Sequence, residues 1–383
     1  MVTYPKDWDN CTLGNLGEVK MCKRIFAHQT SKSGQIPFYK IGTFGGKADA
    51  FISRELYDRY RNAYSFPQMG DILLSAAGTI GRTVIYDGKD AYFQDSNIVW
   101  LEVDENQVDK GFLKYFYDSY PWKNLEGTTI KRLYNGLIRN TAISLPSLPE
   151  QKAIASALST FDSYIDSLTE LIEKKRNIRD GALEDLVSGR LNLNGYKNEW
   201  IRTSLKRVAS YRKERNSSDK RHYISTENMN QNFCGIQPYS DSSMVCGCEF
   251  SSSNVLIANI RPYLKKIWYA EFDGCCSADV LVLAANEGVN PKLLYYILAN
   301  DRYVNYVMAV GTKGIKMPRG DKKIIMEYEL LIPADYKEQE AIATTLTSMD
   351  EEITNLEAER DKMVQIREGA LDDLLTGRVR LKV

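Results

Sequence analysis

Along this chain the apolar positions follow two rhythms, and each rhythm occurs twice. Ile154, Leu158, Phe161, Ile165, Leu168 and Ile172 recur at alternating steps of four and three. That spacing predicts a coiled-coil seam, narrower than the apolar face of an ordinary globular helix. Ile342, Leu346, Met349, Ile353 and Leu356 repeat it. Arg360 then stands where Ile172 would, and Met363 where Lys175 would. Such differing polar interruptions favour one register, at some cost in stability. From Glu150/Glu338 onward the two segments keep a constant offset of 188 residues without a gap. Gln151 matches Gln339, Gly181-Ala182-Leu183 matches Gly369-Ala370-Leu371, and Gly189-Arg190 matches Gly377-Arg378. Pro149 and Glu150 suit a first helical turn, and Gly189 and Gly377 suit left-handed caps. Gly181 and Gly369 lie inside the pattern and are candidate kinks. A continuous helix from Glu150 to Val187 would span about 57 Å at ~1.5 Å per residue.

The second rhythm is that of strands. Gly70–Ser75 enters AAGTIGRTVIY, and Asn254–Asn259 enters IRPYLKKIWY. Each is an apolar run, a turn, a basic residue and another apolar run, which predicts a β-hairpin. NIVWLEV (97–103) and DVLVLAA (279–285) follow as strands. Next come short aromatic helices, FLKYFYDSY and LLYYILANDRYV. Each block opens with Tyr and Trp at matched spacing, Tyr4/Trp8 and Tyr196/Trp200, and closes with a polar basic loop, Gly127–Asn135 and Gly311–Arg319. A repeat at half the chain length is not a solenoid. It predicts two α/β blocks, 1–144 and 196–332, alternating with helical regions 145–193 and 333–383. The block between the helices must return the chain, so the two helices are expected to pair as an antiparallel coiled coil with pseudo-two-fold symmetry. Pairing within one chain accounts for both copies more economically than dimerisation.

Charge sharpens this division. The 383 residues have no net charge, yet segments 1–148, 149–195, 196–334 and 335–383 carry +2, −2, +5 and −5. Basic blocks suit a polyanionic ligand, and acidic helices suit protein contacts. No apolar run reaches the ~18 residues of a membrane helix, and no apolar signal core opens the chain, which predicts a cytoplasmic protein. Seven cysteines, an odd number, are then expected as reduced thiols. Cys246, Cys248, Cys275 and Cys276 lack the usual two-residue gap of a zinc site, so no metal is expected.

Catalytic signatures are absent. The two histidines, His28 and His222, do not align between halves and read as surface residues. Gly45-Gly46-Lys47-Ala48 lacks the spacing of a phosphate loop. The chain therefore reads as a recogniser, not an enzyme. The candidate contacts to nucleic acid are Thr79 and Arg82 at the first hairpin, with Lys131, Arg132, Asn135 and Arg139 in and after the first polar loop. In the second block they are Arg261, Lys265 and Lys266 at the hairpin, with Lys313, Lys316, Arg319 and Lys322. Lys and Arg hold phosphates, and Arg, Lys and Asn read base edges. Any one of these is commonly a solvated surface charge. Their recurrence at corresponding places marks them as a group.

These features resemble the specificity subunits of type I restriction-modification systems. The resemblance covers the whole chain. It rests on LPSLPEQKAIASAL, GALEDLVSGRL, their copies at 331–381, GTIGR (78–82) and the Gly-Thr loop before each helix. The second hairpin departs from it, with IRPYLKK in place of GTIGR. The resemblance implies two target-recognition domains, each reading one half of a bipartite site in double-stranded DNA. The helices would set the spacing and dock two methyltransferase subunits, and two restriction subunits would complete the complex. This chain would hold no cofactor; S-adenosylmethionine, ATP and Mg would serve its partners. A methylation-only or fused system is the nearest alternative. A coiled-coil protein scaffold and an enzyme with a spatially assembled site are alternatives of other classes.

Overall fold

The computed structural model describes residues 4–122, 132–191, 193, 195–196, 199–213, 222–237, 246–310 and 319–382. The chain forms two compact units, Met1–Leu168 with Glu359–Val383, and Thr169–Ala358. Each unit thus combines one α/β block with parts of both long helices, Leu148–Val187 and Tyr336–Thr376.

In the first unit a four-stranded antiparallel sheet runs in the order Gly17–Lys20, Ile98–Val103, Ile72–Ser75, Thr83–Ile85. Successive side chains point to opposite faces of a strand. Ile72, Leu74, Val99 and Leu101 therefore enter one core, and Leu73, Ile98 and Trp100 another. Burial on both faces explains why these strands read as unbroken apolar runs. The first core is closed by Phe112 and Leu113 of the helix Lys110–Ser119, and by Ile154, Leu158, Leu374 and Leu375 of the long helices. The second lies under a three-stranded sheet in which Ile36–Tyr39 pairs with Ala50–Ile52 and Tyr92–Phe93. Asp9–Thr12 pairs antiparallel with Ala142–Leu145.

The second unit follows the same plan. Its sheet order is Ala209–Tyr211, Val280–Ala285, Val255–Ala258, Ile267–Tyr269. Val255, Ile257, Leu281 and Leu283 share a core with Leu183, Leu186, Ile342 and Leu346 of the long helices. Leu256, Trp268, Val280 and Val282 face the opposite core, which includes Ile224, Phe250 and Cys276 of a small three-stranded sheet. Trp200–Ser204 pairs antiparallel with Glu329–Pro333. Both predicted hairpins form, with Ile72 opposite Ile85 and Val255 opposite Tyr269. One predicted element is corrected. LLYYILANDRYV is two helices, Pro291–Leu298 and Asp301–Val310. Between them the Asn300 side chain accepts the Arg302 N–H at 2.8 Å and its carbonyl accepts the Val304 N–H at 3.2 Å, so a new helix starts there.

The long helices pair antiparallel within each unit. In the first, Arg367 bonds Asp162 at 2.9 Å and the Tyr164 hydroxyl donates to Glu359 at 2.5 Å. In the second, Arg179 bonds Asp350 at 2.7 Å, Lys175 meets Glu352 at 2.6 Å, and Arg176 meets Glu357. Leu168, Ile172 and Ile353 are buried, while Phe161, Ile165, Met349 and Leu356 are half-buried. Ile154, Leu158, Ile342 and Leu346 were expected as helix-pairing positions. They also belong to the cores of the blocks, so the ends of the stripe serve as floor to the sheets. Neither Gly181 nor Gly369 interrupts its helix.

Polar groups fix each block to the helices. The buried Gln151 amide accepts the Asp109 N–H at 2.9 Å and donates to the carbonyls of Gln107 (3.1 Å) and Pro146 (3.0 Å). Asp109 in turn caps Lys110–Ser119. Gln339 does the same to Asn290 N–H (2.8 Å), Gly288 (3.2 Å) and Pro333 (2.9 Å). The Tyr115 hydroxyl donates to Asp162 at 2.7 Å, and Arg367 lies 5.7 Å over its ring. Tyr296, Asp350 and Arg179 repeat this, at 2.7 Å and 6.0 Å. Burial raises the Asp162 carboxyl, but Tyr115 and Arg367 outweigh it and hold the carboxyl below its ordinary value.

The first helix ends in a Schellman turn. Gly189 takes φ +69°, its N–H donates to Leu186, and the Arg190 N–H reaches Asp185 at 3.0 Å. Gly377 takes φ +71°, and a Cβ there would stand 2.5 Å from Pro5 Cγ. Gly377→Ala is therefore expected to cost about 1–3 kcal/mol in urea unfolding, from the left-handed backbone alone or more with the clash. A cost below about 0.5 kcal/mol would refute the close approach. Asp162→Asn should destabilise by about 1 kcal/mol near neutrality, since the site is partly exposed. A depressed carboxyl stabilises above the ordinary carboxylate range and loses that contribution as the pH falls through its folded value. Melting temperatures of the variant and wild type should therefore converge toward pH 3; a gap independent of pH would mean the charge does not matter.

Candidate nucleic-acid interface

The hairpin loop of the first unit, Ala76–Arg82, is tied down by Ser75. The Ser75 N–H donates to the Arg82 carbonyl at 2.9 Å, and its carbonyl accepts the Gly81 N–H at 3.0 Å. The Ser75 hydroxyl accepts the Arg82 N–H at 2.8 Å and donates to the Thr79 carbonyl. Gly81 has φ +86°, and a Cβ there would stand 2.5 Å from the Trp122 ring. Only glycine fits such a position. Thr79 and Arg82 are left exposed, with Arg82 also donating to the Phe44 carbonyl at 2.7 Å.

Beside this loop the chain returns from the polar segment. Ala77 forms a β-bridge with Arg132, and the Leu133 N–H donates to Ala76 at 2.8 Å. The structure thus brings Thr79, Arg82 and Arg132 to one edge. The Arg132 guanidinium is committed inward, to the Ser96 carbonyl at 2.7 Å. Tyr134 is exposed, and Asn135 begins the short helix Asn135–Asn140. Arg139, also on that helix, lies beside Gly14. Lys131 lies outside the described residues.

The second unit repeats the stitch. Ile260 forms a β-bridge with Arg319. Arg319 pairs with Asp279 at 2.9 Å, Lys265 with Asp301 at 2.6 Å, and Lys266 donates to the Thr226 carbonyl at 2.7 Å. Arg261 is exposed and has no ion-pair partner among the described residues. Lys322 is exposed at the start of Lys322–Ile325, which Asp321 caps. Lys313 and Lys316 lie outside the described residues. Sequence reasoning placed all these cations in one class. The structure separates those held by the protein, Arg132, Lys265, Lys266 and Arg319, from Arg261 and Lys322. Nothing in composition or spacing carries that distinction, because the partners are brought near by the fold. Exposed Tyr263, in the hairpin loop between Arg261 and Lys265, was missed.

The expectation of wholly reduced thiols is corrected, since Cys246 and Cys275 form a disulfide with Cα atoms 5.7 Å apart. Cys246 lies two residues before the strand Cys248–Phe250, which pairs with Gly274–Cys276, and the Gly247 N–H between them donates to the Cys276 carbonyl at 2.8 Å. Burial pushes the Cys22 and Cys276 thiols up to about 12. Among the described residues, no three His, Cys, Asp or Glu side chains are grouped to hold a metal, and no helix is long and apolar enough to cross a membrane. His28 stacks on Phe26 with ring centroids 5.8 Å apart, and the His222 ring lies 3.1 Å from the Asp273 carbonyl.

Comparison with known proteins agrees with this duplicated plan. A specificity subunit of a type I restriction enzyme from Haemophilus influenzae is 55% identical over 158 residues, 41% of this chain and 41% of that protein. The MjaX specificity subunit of Methanocaldococcus jannaschii is 23% identical over 99% of this chain and 95% of its own length. The crystal structure of a type I restriction-modification S subunit from M. genitalium shares the fold, with TM-score 0.60, 17% identity and coverage of 98% and 97% of the two chains. The family model for the type I restriction modification DNA specificity domain matches residues 5–175 and again 202–365. Specificity subunits of this kind are non-catalytic components of restriction-modification complexes. Because the model matches both halves, over the same sheets and hairpins that build each unit, the chain belongs to the type I restriction modification DNA specificity family.

Proposed function

We propose that this chain is the sequence-reading subunit of a type I restriction-modification complex. Each α/β block would read one half of a bipartite site in double-stranded DNA. The observation that carries this reading is the stitched loop pair: Ala77 to Arg132 in one unit and Ile260 to Arg319 in the other. It sets exposed polar and cationic side chains on one edge of each block, as phosphate and base contacts require. The two long helices would set the distance between half-sites and dock two methyltransferase subunits, whose adenine chemistry uses S-adenosylmethionine. Two restriction subunits would supply ATP- and Mg-dependent cleavage. The chain itself would hold no cofactor and make no bonds, and the complex would work in the cytoplasm.

A genome-wide map of N6-methyladenine in the source strain, with and without this gene, tests the reading. One bipartite motif should disappear with the gene. If the map does not change, the purified complex should still retain DNA in a salt-dependent way, and failure of both sinks the proposal. Replacing residues 1–144 with another block of the family should change one half-site and leave the other; a change in both would defeat one-block-one-half-site reading. Inserting one helical turn after Lys174 should change the spacer or abolish assembly, and an unchanged spacer with full activity would end the ruler idea.

A further inference from the structure

The hairpin loop of the second block differs in kind from that of the first. In GTIGR the positive-φ positions are glycines, Gly78 (φ +63°) and Gly81 (φ +86°). In the second loop they are Arg261 (φ +50°) and Lys265 (φ +54°), flanking the 3-10 turn Pro262–Leu264. A neighbouring loop is docked on it. The Asn232 N–H donates to the Leu264 carbonyl at 3.1 Å and the Phe233 N–H to the Lys265 carbonyl at 2.9 Å. Asn232 (φ +55°) and Phe233 (φ +61°) are themselves left-handed. Four of the seven non-glycine positive-φ residues among those described therefore sit in these two hydrogen-bonded loops. Each such residue is strained and persists only where its surroundings over-determine it.

The surroundings do so. Lys265 is tied to Asp301 at 2.6 Å and lies 6.0 Å over the Phe233 ring. Lys266 is tied to the Thr226 carbonyl at 2.7 Å, and Ile260 is bridged to Arg319. The loop's cations are thus used to fix its shape, with the exception of Arg261. What it presents outward is Arg261 and Tyr263, the latter 51% exposed. A rigid loop that holds an aromatic ring and, two residues away, a guanidinium with no ion-pair partner among the described residues suits a ligand with apolar ring faces and anionic phosphates together.

We infer that Tyr263 is a base-contacting, specificity-determining residue of the second half-site, with Arg261 as its phosphate anchor. This rests on the DNA-reading function proposed above. A rigid aromatic contributes contact area at low entropic cost, and an apolar contact with a base adds discrimination where a cation on a phosphate adds only affinity.

The test uses the complex of this chain with its methyltransferase subunits. The probes are a duplex carrying the motif revealed by the methylation map and a duplex with both half-sites scrambled. Tyr263→Ala should weaken binding to the motif duplex about tenfold or more and leave the scrambled duplex unchanged. Tyr263→Phe keeps the ring and should stay within about twofold of wild type. Arg261→Ala should weaken both duplexes and lower the salt slope by about one. Equal melting temperatures of the Tyr263 variants and wild type show that the loop survives. Motif binding by Tyr263→Ala within about twofold of wild type would overturn the inference and leave the DNA-reading function standing. So would equal losses on both duplexes, or a loss as large in Tyr263→Phe. If wild type does not distinguish the duplexes, the DNA-reading function falls and the inference falls with it.

Discussion

The structure depends first on strands that are buried on both faces. Leu73 and Trp100 point one way from the first sheet while Leu74 and Val99 point the other, and all four are at most 2% exposed. Each such side chain contributes roughly 1.5–3 kcal/mol only if its own face is covered. Two covers are therefore needed. The small sheet, Ala50–Ile52 with Ile36–Tyr39 and Tyr92–Phe93, covers one face. The other is closed by Ile154, Leu158, Leu374 and Leu375, which come from both long helices. A block cut away from the helices would lose one wall of its core. This is why the first compact unit joins Met1–Leu168 to the distant segment Glu359–Val383, while the second, Thr169–Ala358, spans its block and the adjoining parts of both helices in one stretch.

Apolar burial is non-directional and does not by itself fix how a block sits on its own helices. Direction comes from the few polar groups at the same joint. Gln151 satisfies three backbone groups from the turn that starts the block's helix and the strand end before its own helix. The Tyr115–Asp162–Arg367 group fixes the other end of that helix. Removing any one partner would leave a half-buried group unsatisfied, so these contacts select one orientation more than they add stability. The second unit makes the same choice with Gln339 and with Tyr296, Asp350 and Arg179.

Much of this was legible in sequence because periodicity reports burial. The 188-residue offset, the alternating steps of four and three, and the apolar hairpins each state which faces are covered. They do not state by what. Asp162 and Asp350 are equivalent in the repeat, as are Arg179 and Arg367, yet each aspartate bonds the arginine of the other copy. That exchange is visible only once the helices run antiparallel. The break at Asn300 was hidden because the aromatic period continues across it without Gly or Pro. The Cys246–Cys275 bond was hidden because the fold, not the spacing, brings the two residues together. At the candidate edge, sequence named the loops but could not tell a cation held by a carbonyl from one left exposed.

The two hairpin loops show how the same scaffold accommodates different loop chemistries. GTIGR reaches its left-handed positions with glycine, at no steric cost, but glycine offers a ligand nothing except backbone. IRPYLKK reaches the same tight return with side-chain-bearing residues, and the strain is held by Asp301, Thr226 and the loop around Phe233. The exchange replaces backbone ease with chemistry at the tip. The sheet beneath is indifferent to it, since Leu256 and Trp268 pair as Leu73 and Val84 do. Ala76 and Ile80 of the first loop still belong to the core, so what is free to vary is the exposed tip, provided each new loop brings its own internal ties. In the second block those ties consume two of the loop's three cations. The side chains left over, one arginine and one tyrosine, are then what the loop presents outward.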